Sequence, residues 1–218
     1  MTVSLGSEKR TAVHHVLEAR GIIRRGGHFE YSSGEHGSNA VNTELLYKDL
    51  GLLRFLARKL ARHFQSLGIE TVVGLIGDEY QSLLLAMMIA EELSNATLVT
   101  GRKKNSLEKV SIASGDEKYI RGKRVLVIDD VVDTGKTVMN TVSFLKAAKA
   151  NVVGVGVICD RGSLWFWLAC TLTDYKYRSL VTLDSKRWTK QRCQKDGPCR
   201  NHVPLVKVKT QPAYVGGK

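Results

Sequence analysis

No stretch of this chain stays apolar long enough to cross a membrane. The longest such run, Leu83 to Ala90, is far short of the roughly 20 residues a spanning helix needs. The opening residues, Met1-Thr-Val-Ser-Leu-Gly-Ser7, lack the basic-then-apolar pattern of a secretory signal. We therefore expect a cytoplasmic protein with no membrane partner. Internal repeats and low-complexity tracts are absent too, which leaves one α/β domain with extras as the natural use of 218 residues, 43% hydrophobic and 25% charged. Acids are scarce beside bases, 21 against 33, for a net charge of +12. That surplus favours anionic ligands. It is spread over Arg24-Arg25, Arg102-Lys103-Lys104, Arg121 to Arg124 and Lys186 to Arg200, so it reads as solvated surface, and charge alone is a weak sign of nucleic acid binding. Cysteines are few. Cys193 and Cys199 stand wider apart than in a usual zinc knuckle, with no histidine pair at ligand spacing beside them. We read all four cysteines as reduced and structural, with a zinc or disulfide staple in the tail as the alternative.

What is present is concentrated in Val125-Leu-Val-Ile-Asp-Asp-Val-Val-Asp-Thr-Gly-Lys-Thr-Val138. Four apolar residues lead into three carboxylates and then Thr-Gly-Lys-Thr. The apolar run predicts a buried strand. Beyond it, Val138, Phe144, Leu145 and Ala148 fall at helical spacing. The expected order is strand, acidic turn, helix N-terminus, where amides and the helix dipole favour a phosphate. Carboxylates repel a phosphate, so Asp129 and Asp130 must face hydroxyls or a cation. A ribose 5-phosphate satisfies both demands. A P-loop does not fit: the position that should be its first glycine is Asp130.

The rest of the chain alternates helices and strands. Helices are expected over Glu8–Ala19, Leu50–Leu67 and Tyr80–Leu93, and strands over Thr71–Ile76, Thr97–Thr100, Val152–Ile158 and Ser179–Leu183. Gly27 to Gly37, with Phe29 alternating with Tyr31, predicts a hairpin on which His28 and His36 are exposed. Gly101 to Gly122 shows no period and reads as a long basic loop. This rhythm indicates a parallel sheet with helices on both faces, whose ligands bind beyond the strand C-termini. Trp165-Phe166-Trp167 cannot all face one pocket, so core or interface packing is expected.

The central stretch resembles the signature of the type I phosphoribosyltransferases, which bind phosphoribosyl pyrophosphate (PRPP). The resemblance implies that Asp129 and Asp130 hold the ribose hydroxyls, while Asp133, Thr134, Gly135, Lys136 and Thr137 wrap the 5-phosphate. It implies that Arg102, Lys103 and Lys104 act on the leaving pyrophosphate, with Gly74 and Gly77 in a pyrophosphate-binding turn. Asp78 and Glu79 stand where relatives carry small residues. It implies Mg2+ brought in through PRPP rather than by protein ligands alone, and a homodimer. Gly27 to Gly37 looks like the N-terminal hood of orotate phosphoribosyltransferases, and Cys193 to Pro204 like the tail of a related subgroup. The implied layout is a helix and hood over residues 1–45, a core over 46–185 and a basic cysteine-containing tail over 186–218. Orotate is the favoured base, although Ser32 and Ala40-Val41 replace the lysine and aromatic pair of orotate enzymes. A purine base is the alternative, because Asp133 matches an acid that faces the base in hypoxanthine and guanine enzymes. A non-catalytic PRPP-binding regulator is the rival from another class.

Overall fold

The computed structural model describes residues 11–31, 33–76, 81–94, 96–104, 109–162 and 164–208. The expected first helix forms as α1, Ala12–Ala19; residues 8–10 of the expectation lie outside the described residues. Thr11 closes its N-terminus, its backbone N–H donating to His14 Nδ1 at 3.1 Å. Strand β1, Ile23–Arg24, pairs antiparallel with β4, Ala40–Val41. Between them β2, Phe29–Glu30, and β3, His36–Gly37, form the expected antiparallel hairpin. Helix α2, Thr43–Lys48, starts where the Asn42 side chain accepts from the Leu45 N–H, a standard N-cap.

The second compact unit runs from Leu50 to Thr182. Helix α3, Leu50–Arg62, buries Leu53, Leu56 and Leu60 on one stripe. There follow β5, Thr71–Ile76; α4, Gln81–Glu92; β6, Thr97–Lys104; β7, Lys109–Ser111; and α5, Glu117–Ile120. Then come β8, Arg124–Val132; α6, Lys136–Ala147; β9, Asn151–Asp160; α7, Leu164–Thr171; and β10, Lys176–Thr182. The six strands lie in the order β10-β9-β8-β5-β6-β7, all neighbours parallel except the antiparallel edge pair β6/β7. Strand side chains alternate between faces. Val125 and Val127 of β8 pack with Val138, Val142 and Leu145 of α6. Leu126 and Ile128, equally buried, belong to the opposite face, so helices cover both sides as expected.

Two expectations change here. The basic segment after residue 100 is not one long loop. Strand β6 runs on through Lys104, pairs back on β7, and α5 follows. Its residues have no apolar period because they lie at a sheet edge, where neighbouring backbone rather than burial holds the extended form. Likewise the acids at 129 and 130 are not in a turn. β8 continues to Val132 because β9 extends beside it, with Asp129 opposite Val157 and Val132 opposite Asp160.

The C-terminal residues supply β11, Arg187–Trp188; α8, Lys190–Asp196; and β12, Val206–Lys207. β11 pairs antiparallel with β3, and β12 pairs parallel with β2, giving a sheet in the order β11-β3-β2-β12. Head and tail, set apart in the sequence, thus form one compact unit, up to Asp49 and from Leu183. Its joints are polar. Tyr31 Oη donates to the Asn39 carbonyl at 2.6 Å, and Asn39 Nδ2 donates to the Asp184 carbonyl at 2.8 Å. Among the described residues no helix is long and apolar enough to cross a membrane.

Candidate active site

The chain leaves β5 for β6 on one side and later returns to β8 on the other side of β5. That reversal makes a topological switch point, the place where open parallel sheets bind ligands beyond their strand ends. At the C-terminal end of β8, residues Asp129 to Val138 line a cavity of about 150 Å3. The sequence-predicted set Asp129, Asp130, Asp133, Thr134, Gly135, Lys136 and Thr137 is therefore brought together around one space.

Each member has a local reason for its place. Asp129 is 8% exposed, and its Oδ1 accepts the Asp130 N–H at 3.1 Å. Asp130 Oδ1 accepts the Val131 N–H at 2.7 Å. These bonds fix both carboxylates at the strand end. Thr134 Oγ1 accepts the Lys136 N–H at 3.4 Å. Gly135 is the N-cap of α6 at φ +78°, a left-handed conformation that costs a side-chain-bearing residue. A Cβ there would also run into the Phe166 ring. Phe166 is fully buried and stands edge-on to Tyr177, ring centroids 5.1 Å apart, so the expected core role of the aromatic triplet holds for its middle member. The side chains of Trp165 and Trp167 lie outside the described residues.

Sequence reasoning missed Arg161. It follows β9 directly, its N–H donating to the Val132 carbonyl at 2.9 Å. Its guanidinium, 11% exposed, comes within 3.8 Å of Asp133 Oδ1. The signal was present, an Asp-Arg-Gly at the end of an apolar strand, but it lay outside the central motif. Beside it, Asp160 Oδ1 accepts the Gly162 N–H at 2.9 Å and Oδ2 accepts the Tyr177 hydroxyl at 2.8 Å. Burial, then the Asp160 charge, pushes the Tyr177 phenol far above its ordinary range, so this pair is a fixed buttress rather than a proton relay.

The basic residues Arg102, Lys103 and Lys104 lie on β6. Thr100 and Ile128 both pair with Gly74 of β5. Two residues further along, Arg102 and Asp130 therefore end at one level of the sheet, two strand spacings or ~10 Å apart. Arg102 is exposed; the side chains of Lys103 and Lys104 lie outside the described residues. Gly77, Asp78 and Glu79 lie outside them altogether.

Gly74 sits inside β5, not in a turn. A Cβ there would meet Ala86 Cβ at 2.6 Å and Leu83 Cα at 3.3 Å, so the residue lets α4 lie close on the sheet. Gly74→Ala is expected to cost about 1–3 kcal/mol by overpacking. At roughly 2–4 °C per kcal/mol, melting should fall by several degrees. In the Gly74→Ala, Ala86→Gly double variant part of the loss should return. Calorimetry on the four proteins checks the coupling; strictly additive losses would put the constraint elsewhere.

Paired carboxylates at a strand end, the N-terminus of α6 and a basic neighbouring strand thus meet at the C-terminal edge of an α/β sheet. Residues 43–182 match the phosphoribosyl transferase domain, and the chain belongs to that family. The orotate phosphoribosyltransferase of Caldanaerobacter subterraneus subsp. tengcongensis is 29% identical over 201 residues, 91% of this chain and 96% of that one. The crystal structure of the orotate phosphoribosyltransferase from Aeropyrum pernix superposes with a TM-score of 0.58 at 26% identity, over 84% of this chain and 97% of that one. An adenine phosphoribosyl transferase from Trypanosoma brucei shares the fold, with a TM-score of 0.60 at 20% identity over 81% and 82% of the two chains.

Proposed function

We propose that this protein transfers phosphoribose from PRPP to a nitrogen of orotate and releases pyrophosphate. The observation that carries the proposal is the convergence of Asp129 to Thr137 on one cavity at the sheet's switch point. Asp129 and Asp130 hold the two ribose hydroxyls, and the amides from Asp133 to Thr137 surround the 5-phosphate. As the C1–oxygen bond breaks, positive charge develops on the sugar and negative charge on pyrophosphate. Arg102, Lys103 and Lys104 meet the second, and the carboxylates beneath the ribose favour the first.

Magnesium suits the oxygen donors that Asp129, Asp130 and Asp133 offer. Among the described residues these acids do not form a three-donor set by themselves, so substrate oxygens would complete the shell. The ion would offset charge on the leaving pyrophosphate. Exposed Leu50, Phe55, Leu84 and Met87 on α3 and α4 favour self-association, and we include a homodimer in the proposal, to be read by light scattering. A cytoplasmic location goes with it.

Arg161 is the residue that favours orotate over a purine. Its guanidinium stands 3.8 Å from Asp133 Oδ1, so a cation lies beside the acid that the purine reading would turn toward the base. It also sets a guanidinium, the natural partner of a carboxylate, beside the pocket. Pyrophosphate release from PRPP and magnesium, measured across orotate, uracil, hypoxanthine, guanine and adenine, tests the assignment. Orotate should give the highest kcat/KM. Arg161→Ala should lower that value by about 10–100-fold, the worth of a lost charged hydrogen bond, with most of the loss in the KM for the base. A preference for hypoxanthine would move the assignment to the purine reading. Tight PRPP binding without turnover of any base would move it to a PRPP sensor.

A further inference from the structure

Far from Asp129 and Asp130 in sequence, two imidazoles and two thiols meet. His28 Nε2, His36 Nδ1, Cys193 Sγ and Cys199 Sγ all lie within 4.8 Å of one another. The two histidines are buried, 2% and 1% exposed, against the expectation of an exposed hairpin. His28 directly precedes β2 and His36 opens β3, so neither lies near the cysteines in sequence. His28 Nε2 stands 2.9 Å from His36 Nδ1, 3.4 Å from Cys193 Sγ and 3.6 Å from Cys199 Sγ, and Cys199 Sγ stands 3.3 Å from His36 Nδ1. A tetrahedral zinc ion with bonds of about 2.0 Å to nitrogen and 2.3 Å to sulfur needs donor separations of about 3.3–3.8 Å. Four of the six donor pairs, at 2.9 to 3.6 Å, lie within a few tenths of an ångström of that range, and the widest separation, up to 4.8 Å, would close by about one ångström around the ion.

The surroundings orient the donors. His28 Nδ1 lies 2.9 Å from the Val203 carbonyl. A carbonyl only accepts, so Nδ1 carries the proton and Nε2 turns a lone pair into the cluster. This is how a metal-bound imidazole is normally held. The Cys199 N–H points at Cys193 Sγ, 3.4 Å away, which holds the two sulfurs on the same side of the hairpin. His36 Nε2 finds no hydrogen-bond partner among the described residues, and its Nδ1 faces two of the other donors, His28 Nε2 and Cys199 Sγ. Among the described residues, which include all four cysteines, no disulfide forms.

We propose that His28, His36, Cys193 and Cys199 form a structural zinc site that clamps the tail onto the N-terminal hairpin. Two thiolates with two imidazoles select zinc over magnesium or calcium. Four protein ligands close the tetrahedron, leaving no position for substrate, so the ion is structural. The need for it is visible in the fold. The strands it joins, β2, β3, β11 and β12, have two residues each. The apolar cluster beneath them is Phe29, Tyr31 and Ala40 with Val208. Strands this short gain little from their own pairing, and a metal is a standard remedy for small units.

The protein, purified without a metal-affinity step, should carry about one zinc per chain by plasma mass spectrometry. Exchange with Co2+ should give the d–d bands of a tetrahedral ion together with thiolate-to-cobalt charge transfer. The thiolate band separates this site from any ion held by the acids near residue 130. Cys199→Ser should reduce zinc at least tenfold. Should that variant fail to fold, the cobalt spectrum of the unaltered chain still decides the matter. Reading metal rather than turnover keeps this result separate from the assignment of PRPP chemistry. A metal-free chain with free thiols, a Cys193–Cys199 disulfide in the purified protein, or zinc retained in Cys193→Ser, Cys199→Ser would each overturn the proposal.

Discussion

Replacing Asp129 and Asp130 together by asparagine is expected to lower kcat/KM for PRPP about a thousandfold, with little change in melting temperature. Asparagine keeps the shape of aspartate and an oxygen acceptor. The Asp129 contact to the Asp130 N–H and the Asp130 contact to the Val131 N–H can therefore persist. What disappears is charge. A hydroxyl bound to a carboxylate gains about 1.5–3 kcal/mol, and each single variant should lose roughly 10–150-fold at 1.4 kcal/mol per tenfold. Because the sugar gains positive charge as its bond to pyrophosphate breaks, the loss should reach kcat as well as KM. Steady-state kinetics give the split and titration calorimetry gives PRPP affinity. Unchanged affinity in Asp130→Asn would mean that the acids do not hold the sugar, and the functional proposal would fall with them.

The part of this site that can be read in sequence is the part that is contiguous. Asp129 to Thr137 is visible because a buried strand must lead into it and a helix must leave it. The elements of the central sheet are visible for the same reason: Val72, Val73, Val125 and Val127 are buried strand residues, and apolar runs mark such strands. Charged strand ends are less legible. Arg102 to Lys104 and Asp129 to Val132 are extended because a neighbouring strand pairs with them, and no local preference announces that. Arg161 enters the site only when β9 is laid beside β8. Gly74 invited a phosphate-turn reading because glycine serves both purposes, and only Ala86 lying across it reveals the packing demand. The His28–Cys193 contact is the extreme case, since 165 residues separate its members. Spacing rules for metal ligands work within one motif, and here the tail must return to the hairpin before the four donors meet.

Gly135→Ala is expected to damage both folding and PRPP binding, and to do so for two separable reasons. The first is backbone conformation. At φ +78° an alanine costs about 1–2 kcal/mol relative to its preferred regions. The second is space. The added methyl would occupy the position of the Phe166 ring, and overpacking of a filled core costs about 1–3 kcal/mol more. The sum, about 2–5 kcal/mol, corresponds to a fall in melting temperature of roughly 5–15 °C for a chain of this size. Relief of the clash by turning the loop would move the amides of residues 134–137 away from the phosphate, so PRPP affinity should fall more than tenfold in whatever fraction stays folded. Phe166→Leu supplies the test of cause. In that background the steric share should shrink while the conformational share remains, so Gly135→Ala should then cost only about 1–2 kcal/mol. Gly135→Asn in the unaltered chain gives the complementary result, because asparagine tolerates the left-handed region but still meets the ring. If Gly135→Ala melted like the unaltered protein and bound PRPP normally, the tight junction of loop, helix and aromatic ring would not be what shapes the phosphate site.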